Sequence, residues 1–473
     1  MSSYNPDYSV GGNANTTDGR QDSYASVQRG AESPNAPFVT KGTGGAINEG
    51  KIRKKSWSDA ASQLSDDEPK SPMYMAIYNM LAGCGIVGLP LQTKQSGIIP
   101  GIILMAIVAV FSTYTLRLLI KNGRRVRVWN YEDLCQKCWG AFGYYNLIIS
   151  ILLFDVGQCL TYSIVLGSSA HDVFKQLIHN KDSIFLDKSV LLILAYIFFI
   201  FPFSIGKDFR FIEKISAFAI FSIVFMIGVV TYEYWHTYEA HHVEVDLFSN
   251  SITDIVQAFG AIAFAFSQQD QTFLVYKTLL NPTTNRFTIL SSWAMGIQFI
   301  LCTTVGVFGY LSFGSDTEDV ILENYPKDNH LILGTRILYV FTMVFIFPTA
   351  FYVVRHIFYS MVFYHSTETY EKATVFWRLV FTIGLLAFFC VLSIFIHNLG
   401  LVMTLTGLVA VVNITFILPC WIHLKLTEYP ILPWRAEPGQ TCAAIIDTWP
   451  SVFLLIFGVF SCVVGIVGLF LPA

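Results

Sequence analysis

Two interrupted apolar stretches decide the fold class of this chain: NMLAGCGIVGLP at residues 79–90 and AFGAIAFAFSQQDQTFLVYKTL at residues 258–279. Both are apolar enough to cross a membrane, yet each contains residues that disfavour a continuous helix. The first has three glycines and a proline close together, and the second has four consecutive polar residues at 268–271. At membrane depth, an interrupted helix is tolerated only where the freed backbone groups meet protein, water or a ligand.

The composition of the whole chain is that of a membrane protein. Hydrophobic residues make up 53% of the sequence and charged residues 13%, and the mean hydropathy is +0.53. A soluble domain carries about 25% charged residues. The apolar residues fall in blocks of about 20, the length of a helix that crosses a hydrocarbon core of roughly 30 Å. We therefore predict an all-α polytopic membrane protein. The net charge of −3 gives no electrostatic case for nucleic-acid binding.

The apolar blocks predict about eleven transmembrane helices. They lie at residues 72–92, 97–120, 145–172, 189–206, 211–235, 252–279, 287–313, 330–358, 375–396, 401–421 and 446–470. The two interrupted stretches are spans one and six, which are five spans apart. This spacing is typical of a five-plus-five inverted repeat, in which corresponding helices unwind around a site near the membrane midplane.

The charges of the loops predict the orientation of the chain. Basic residues cluster after spans two, four and six, whereas the opposite loops at 232–250 and 314–330 are acidic. Because Lys and Arg accumulate in cytosolic loops, the N-terminus is expected in the cytosol. Residues 1–70 are polar and lack apolar runs, so we expect a disordered tail there. The transmembrane domain is expected at 71–473.

The two interruptions predict a binding site for a zwitterion. A half-helix that begins near Ile86 offers free N–H groups and positive dipole charge to a carboxylate, and carbonyl groups of the other half-helix can accept from an ammonium group. The candidate substrate-binding residues in both spans are Gly83, Cys84, Gly85, Ile86, Ser267, Gln268 and Gln269. The alternative is that the glycines only permit close helix packing.

Two acidic residues at membrane depth are candidates for proton coupling. Asp270 lies in the polar stretch of span six, and Asp155 lies in the middle of span three. Burial disfavours the ionised form of a carboxyl group, so such a group can exchange a proton near neutral pH. Ionisable residues inside a membrane are costly and mark ion or substrate pathways. A structural hydrogen bond is the alternative role for each.

A series of motifs resembles the amino acid/auxin permease family. The motifs are NMLAGCGIVGLPLQTKQSG at 79–97, YEDL at 131–134, FAFSQQDQTFLVY at 264–276, GYLSFG at 309–314, ILENYP at 321–326, FPTAFYVVR at 347–355 and GLVAVVNITFILP at 407–419. Their order and spacing over about residues 71–425 look most like the branch of sodium-coupled neutral amino acid transporters and yeast vacuolar amino acid transporters. The resemblance implies a LeuT-type fold with eleven helices and amino acid transport.

The resemblance also implies roles for single residues. Tyr162 is similar to a position that lines the family's cavity, and Asn79 stands where sodium-coupled relatives use an asparagine to bind sodium. Those relatives also use a threonine shortly before the proline of span eight. In this sequence the residues before Pro348 carry no hydroxyl, and Thr342 is nearby but out of register. A hard cation needs a nearly complete shell of oxygen ligands, so this departure argues against sodium coupling.

The sequence therefore predicts a secondary active transporter of neutral L-amino acids that works by alternating access and is driven by protons. Two alternatives stay open: a sodium-coupled symporter at the plasma membrane, and an amino acid receptor that does not transport. No HExxH, GxSxG or Walker motif occurs, so we expect no enzyme, and we expect no cofactor and no metal site. The expected partners are the amino acid, the coupling ion and the lipid bilayer, and a vacuolar or lysosomal membrane is the expected location.

Overall fold

The computed structural model of the protein describes residues 85–177, 187–205, 210–237, 244–249, 251–326, 329–362, 375–427 and 441–470, and its long regular elements are helices. In chain order these are α1 (Leu89–Ser96), α2 (Ile98–Val126), α3 (Tyr131–Trp139), α4 (Ala141–Leu177), α5 (Lys188–Ile205), α6 (Arg210–Thr237), α7 (Ile252–Ala265), α8 (Thr272–Thr278), α9 (Thr284–Phe313), α10 (His330–Val362), α11 (Val375–Phe395), α12 (Leu399–Leu426) and α13 (Thr441–Phe470). A 3-10 turn, Gly85–Gly88, precedes α1.

Within the described residues, nine helices are long and apolar enough to cross a membrane. They correspond to the predicted spans two to five and seven to eleven, so the prediction of a polytopic all-α membrane protein is confirmed. The remaining two predicted spans are the interrupted ones. Span six is divided into α7 and α8, and the part of span one before Gly85, with the predicted tail, lies outside the described residues.

Burial shows which helices form the centre of the bundle. In α4 and α12, 72% and 67% of the most apolar segment is buried, against 28% in both α5 and α11. The outer helices expose large side chains such as Phe198 and Phe376, each about two-thirds accessible. Apolar surface of this extent is suited to lipid rather than to water. The second half of α7, residues 258–265, is buried throughout, so it lies with α4 and α12 inside a rim of helices that faces lipid.

The boundary between α1 and α2 depends on one glycine. Gly97 has a φ of +80°, a conformation that residues with a side chain rarely adopt. The backbone of the 244–249 loop lies against this turn, where Ser249 N–H donates to Ser96 O at 3.2 Å. A Cβ atom at Gly97 would lie 2.7 Å from the Ser249 nitrogen. The turn therefore needs glycine both for its conformation and for this close approach.

A buried arginine joins two central helices to a loop. The Arg336 side chain of α10 is fully buried. Its Nε and Nη2 atoms donate to Leu322 O at 3.2 and 2.6 Å, and Nη2 also donates to Tyr325 O at 3.0 Å. Asp172 Oδ2 of α4 lies 3.6 Å from Nη2. Arg336 thereby fixes the loop between α9 and α10 onto the end of α4.

The Arg336–Asp172 pair yields a prediction about stability. Removing one partner of a buried ion pair leaves an uncompensated charge and costs about 3–5 kcal/mol, so Asp172→Leu should markedly lower the midpoint of thermal unfolding. Adding Arg336→Met to that variant removes the unpaired charge but leaves Leu322 O and Tyr325 O without their donor, so it should restore only part of the loss. Fluorescence-detected size-exclusion chromatography after heating measures both.

The matched control for this prediction is Lys188→Gln. It removes a partly exposed partner of Glu323 at 4.0 Å, and such pairs are worth about 0–1 kcal/mol. Thermal unfolding of Asp172→Leu at the temperature of the unmodified protein would contradict the assignment of Arg336 as an anchor.

Candidate functional site

The central feature of the bundle is the interruption between α7 and α8. Helix α7 runs from Ile252 to Ala265 and is capped by Ser251, whose side chain accepts from Asp254 N–H at 3.4 Å. Helix α8 begins at Thr272. The intervening residues 266–271 include the predicted polar stretch, so the interruption lies where the sequence places it. Ser and Asp favour helix ends over helix interiors because their side chains bond to nearby backbone groups.

The two interruptions meet in the structure. Gly85, in the 3-10 turn before α1, lies so close to the end of α7 that an added Cβ atom would be 2.8 Å from Ala265 Cβ. An added Cβ atom at Gly88 would be 2.9 Å from the sulfur of Met403 in α12. Ile86 is fully buried in the same turn. Asn79, Gly83 and Cys84, which the sequence also nominates, lie outside the described residues.

Gln269 ties the interruption to two other helices. Its side chain is fully buried. Its Nε2 atom donates to Thr115 Oγ1 of α2 at 3.2 Å. Its Oε1 atom accepts from Thr415 Oγ1 of α12 at 3.0 Å and from Gln268 N–H at 3.0 Å. In this conformation the amide is used within the protein, and only its second N–H is left for a ligand.

Further polar groups surround the same segment. The Ser267 hydroxyl lies 3.4 Å from Thr415 Oγ1, and Gln268 O accepts from Thr272 Oγ1 at 3.3 Å. Gln298 of α9 donates from Nε2 to Ala265 O at 3.3 Å. Its Oε1 atom is buried and has no hydrogen-bond partner in the part of the chain that the structure describes. A buried acceptor without a donor is costly, so this oxygen is available to a ligand.

Sequence reasoning missed three residues of this cluster: Thr115, Gln298 and Thr415. Threonine in a membrane helix is commonplace because its hydroxyl can bond to the preceding turn, as Thr115 does with Ser112 O at 3.1 Å. The sequence therefore does not distinguish these two threonines from other threonines in the spans. Gln298 is distinguishable, since a glutamine within an apolar span has no solvent to bond to.

The two predicted acids lie in α4 and in the segment just before α8. Asp155 is buried, and among the described residues its Oδ2 atom has no hydrogen-bond partner. The adjacent Phe154 packs edge-to-face on Phe264 near the end of α7, with ring centroids 5.5 Å apart. Asp270 lies in the interruption itself, just before α8, and its side chain is half-buried.

Two predicted residues lie on the neighbouring helices. Tyr162 is buried in α4, two helical turns beyond Asp155. Thr342 is buried in α10, and its hydroxyl donates to Leu338 O of its own helix at 2.9 Å. The hydroxyl proton is directed at Leu338 O, but the hydroxyl oxygen keeps lone pairs that a cation could use.

Outside the spans, the loop between α9 and α10 is acidic. Burial, followed by repulsion from Glu323, raises the pKa of Glu318 in this loop. A raised pKa makes the carboxyl easier to protonate as the surrounding solution is acidified. Glu318, together with Asp316 and Asp319, gives the end of the bundle at this loop an acidic lining.

Close packing between α7 and α12 supports the interruption. At Gly407 the backbone lies against the carbonyl of Gly260 with no room for a Cβ atom. Gly407 begins a five-residue π-helical segment, Gly407–Val411. Small residues at such positions let two membrane helices approach closely, and here the approach sets the distance between Thr415 and the polar segment of span six.

This contact yields a matched pair of glycine variants. Gly407→Ala should separate α7 from α12 and reduce the yield of folded protein, since overpacking costs about 1–3 kcal/mol, and more against rigid backbone. Gly384→Ala in α11 meets nothing within 4 Å and should fold normally. The measurement is the monodisperse fraction in size-exclusion chromatography. Equal yields for the two variants would contradict the packing role.

A lipid-facing bundle in which two helix interruptions meet among buried polar and acidic groups is the architecture of a membrane transporter. The family described as "Transmembrane amino acid transporter protein" matches residues 73–471 of this chain. The chain belongs to this family, which confirms the resemblance drawn from its motifs.

Named relatives agree with the family. A Mus musculus protein named "Putative sodium-coupled neutral amino acid transporter 11" is 27% identical over 85% of this chain and 88% of its own length. "Vacuolar amino acid transporter 2" of Saccharomyces cerevisiae is 24% identical over 77% and 78%. A solved Na⁺-coupled sialic acid symporter covers 87% of this chain and 94% of its own, with 13% identity and a TM-score of 0.48. The family and the two named relatives are transporters, not enzymes, as the sequence predicts.

Proposed function

We propose that this protein is a secondary active transporter that moves neutral L-amino acids by alternating access around the α7/α8 interruption, with protons as the coupling ion. The observation that carries the proposal is the contact between Gly85 and Ala265. It joins the 3-10 turn before α1 to the interruption of span six, where the helical hydrogen-bond ladder is broken. Membership of the amino acid transporter family supports the substrate class.

The chemistry of the segment suits a zwitterion. Backbone N–H groups near Gly85 and Ile86 favour a carboxylate, as helix N-termini do. The Ser267 and Gln268 segment and the unpartnered Gln298 oxygen offer acceptors to an ammonium group. The buried apolar residues around them favour an uncharged side chain, because a charged one would need its own partner.

Asp155 and Asp270 are our candidates for the proton site. Asp155 is buried in α4, and Asp270 lies in the interruption itself. Burial of a carboxyl group disfavours its ionised form, so such a group can carry a proton. Loading and release of that proton at the α7/α8 interruption would link proton movement to the rearrangement of the substrate site.

Sodium is the second candidate for the coupling ion, because relatives carry sodium coupling in their names. The span-eight segment argues against it. No residue from Val344 to Phe347 has a side-chain oxygen. Sodium would then depend on backbone carbonyls, on Thr342 outside that stretch, and on Asn79.

We further propose a cytosolic N-terminus, a tail over residues 1–70 ahead of a transporter domain at 71–473, and residence in the membrane of an acidic compartment. The basic loops support the orientation. The vacuolar name of the yeast relative and the acidic lining near Glu318 support the compartment, where a proton gradient is present.

Uptake into proteoliposomes tests the proposed function. Purified full-length protein is reconstituted, and accumulation of a tritiated mixture of neutral L-amino acids is followed under an imposed pH gradient or sodium gradient. We expect accumulation with the pH gradient alone. Accumulation that requires sodium would replace the proton assignment. Binding of the mixture without flux under either gradient would favour the receptor alternative.

Substitution of the two acids tests their role. Asp270→Asn and Asp155→Asn should each lower uptake driven by the pH gradient about tenfold or more, because the proton carrier is lost. Exchange of amino acid between the two sides needs no net proton movement and should persist in Asp270→Asn. The matched control is Glu244→Gln, which neutralises an exposed acid in a loop and should leave uptake unchanged. Normal pH-driven uptake in both Asp variants would contradict the assignment of these acids as the proton site.

A further inference from the structure

Helix α12 contains an unusual backbone segment next to the site. Asn413–Ile417 is π-helical, and Leu418 N–H donates to Asn413 O, five residues back. The next residue is Pro419, which has no N–H group. The carbonyl of Ile414 lies four residues before Leu418 and five before Pro419. It therefore receives no hydrogen bond from either of the α12 positions that normally supply one.

Tyr131 supplies the missing donor. Its hydroxyl donates to Ile414 O at 2.9 Å, across 283 positions of sequence. Tyr131 is the first residue of α3 and is 3% exposed. Since a buried carbonyl without a partner is costly, the π-helical segment of α12 depends on this tyrosine from another element.

The same end of α3 also contacts the second half of the interrupted span. The ring of Tyr131 lies against that of Phe273 in α8, with centroids 6.4 Å apart. Two residues earlier, Trp129 stacks on Tyr276 of α8 at 5.6 Å and an interplanar angle of 7°. The beginning of α3 thus contacts α8 through the rings of Trp129 and Tyr131, and α12 through the Tyr131 hydroxyl.

The next residue of α12 leads directly to the candidate site. Thr415, adjacent to Ile414, donates to Gln269 Oε1 at 3.0 Å. A shift of the α12 backbone at Ile414 therefore moves the hydroxyl that holds the amide of Gln269. Motion of α8 in turn displaces the ring against which Tyr131 packs.

We propose that Tyr131 is a positioning residue for transport. Its hydrogen bond to Ile414 O is a latch that keeps α12 and α8 in fixed positions around Gln269. The latch opens when α8 moves during the transport cycle. The proposal rests on the proposed function in that it takes the α7/α8 interruption as the substrate site. It assigns α3 a role in coupling one end of the bundle to that site.

Hydrogen–deuterium exchange tests the latch without any transported substrate. In purified full-length Tyr131→Phe, which keeps the ring and removes the hydroxyl, exchange in peptides covering 266–278 and 413–420 should rise about threefold or more. The matched control is Tyr114→Phe. It removes another tyrosine hydroxyl bond, to Ser451 Oγ at 2.9 Å between α2 and α13, and should leave both peptides unchanged.

Two outcomes would overturn the proposal. One is faster exchange confined to 413–420, which would make the bond a local feature of α12. The other is an equal rise in both variants. Because this experiment needs no flux, its result stands whether or not the unmodified protein transports amino acids.

Uptake kinetics provide the functional measurement. For the tritiated mixture of neutral L-amino acids, the concentration at half-maximal uptake should change about threefold or more in Tyr131→Phe and stay unchanged in Tyr114→Phe. Thr415→Val should have the same effect as Tyr131→Phe, and the double variant should be no worse than either single variant, as expected for residues of one network. Additive effects, or a loss of folded protein without a change in this concentration, would reject the positioning role.

Discussion

The structure depends on satisfying polar backbone and side-chain groups where span six is interrupted at membrane depth. Residues 266–271 lack a regular helical ladder, and the surrounding lipid offers them no hydrogen bonds. Gln269 meets part of this need by bonding Thr115 and Thr415, and Gln298 covers the carbonyl of Ala265. The interruption thereby fixes where α2, α9 and α12 stand around it.

The same constraint explains the close packing in the centre. Thr415 reaches Gln269 only if α12 approaches α7, and Gly407 and Gly260 permit that approach. The π-helical segment near Pro419 places Thr415 and leaves the Ile414 carbonyl for Tyr131. Each of these local irregularities therefore has a partner elsewhere in the bundle.

Much of the fold was predictable from the sequence because membrane spans are recognisable by their length and hydropathy. The interruption at 266–271 was predictable as well, since four consecutive polar residues disfavour a continuous helix in an apolar span. The same reasoning makes Asp155 and Asp270 candidates for the coupling site. The partners Thr115 and Thr415 were not predictable, because hydroxyl residues in a membrane helix look alike whether they bond to their own turn or across helices. The short helix α3 was missed too, since its nine residues are neither long nor apolar enough to resemble a span.

The most direct test of the central claim is a cryo-electron microscopy map of the protein in lipid nanodiscs with a saturating mixture of neutral L-amino acids. We predict ligand density between the turn at Gly85–Gly88 and the segment 266–271, with one end of the density beside backbone N–H groups. Density elsewhere, such as in the shallow cavity lined by Ser163, Lys188 and His397, with the interruption still closed, would contradict it.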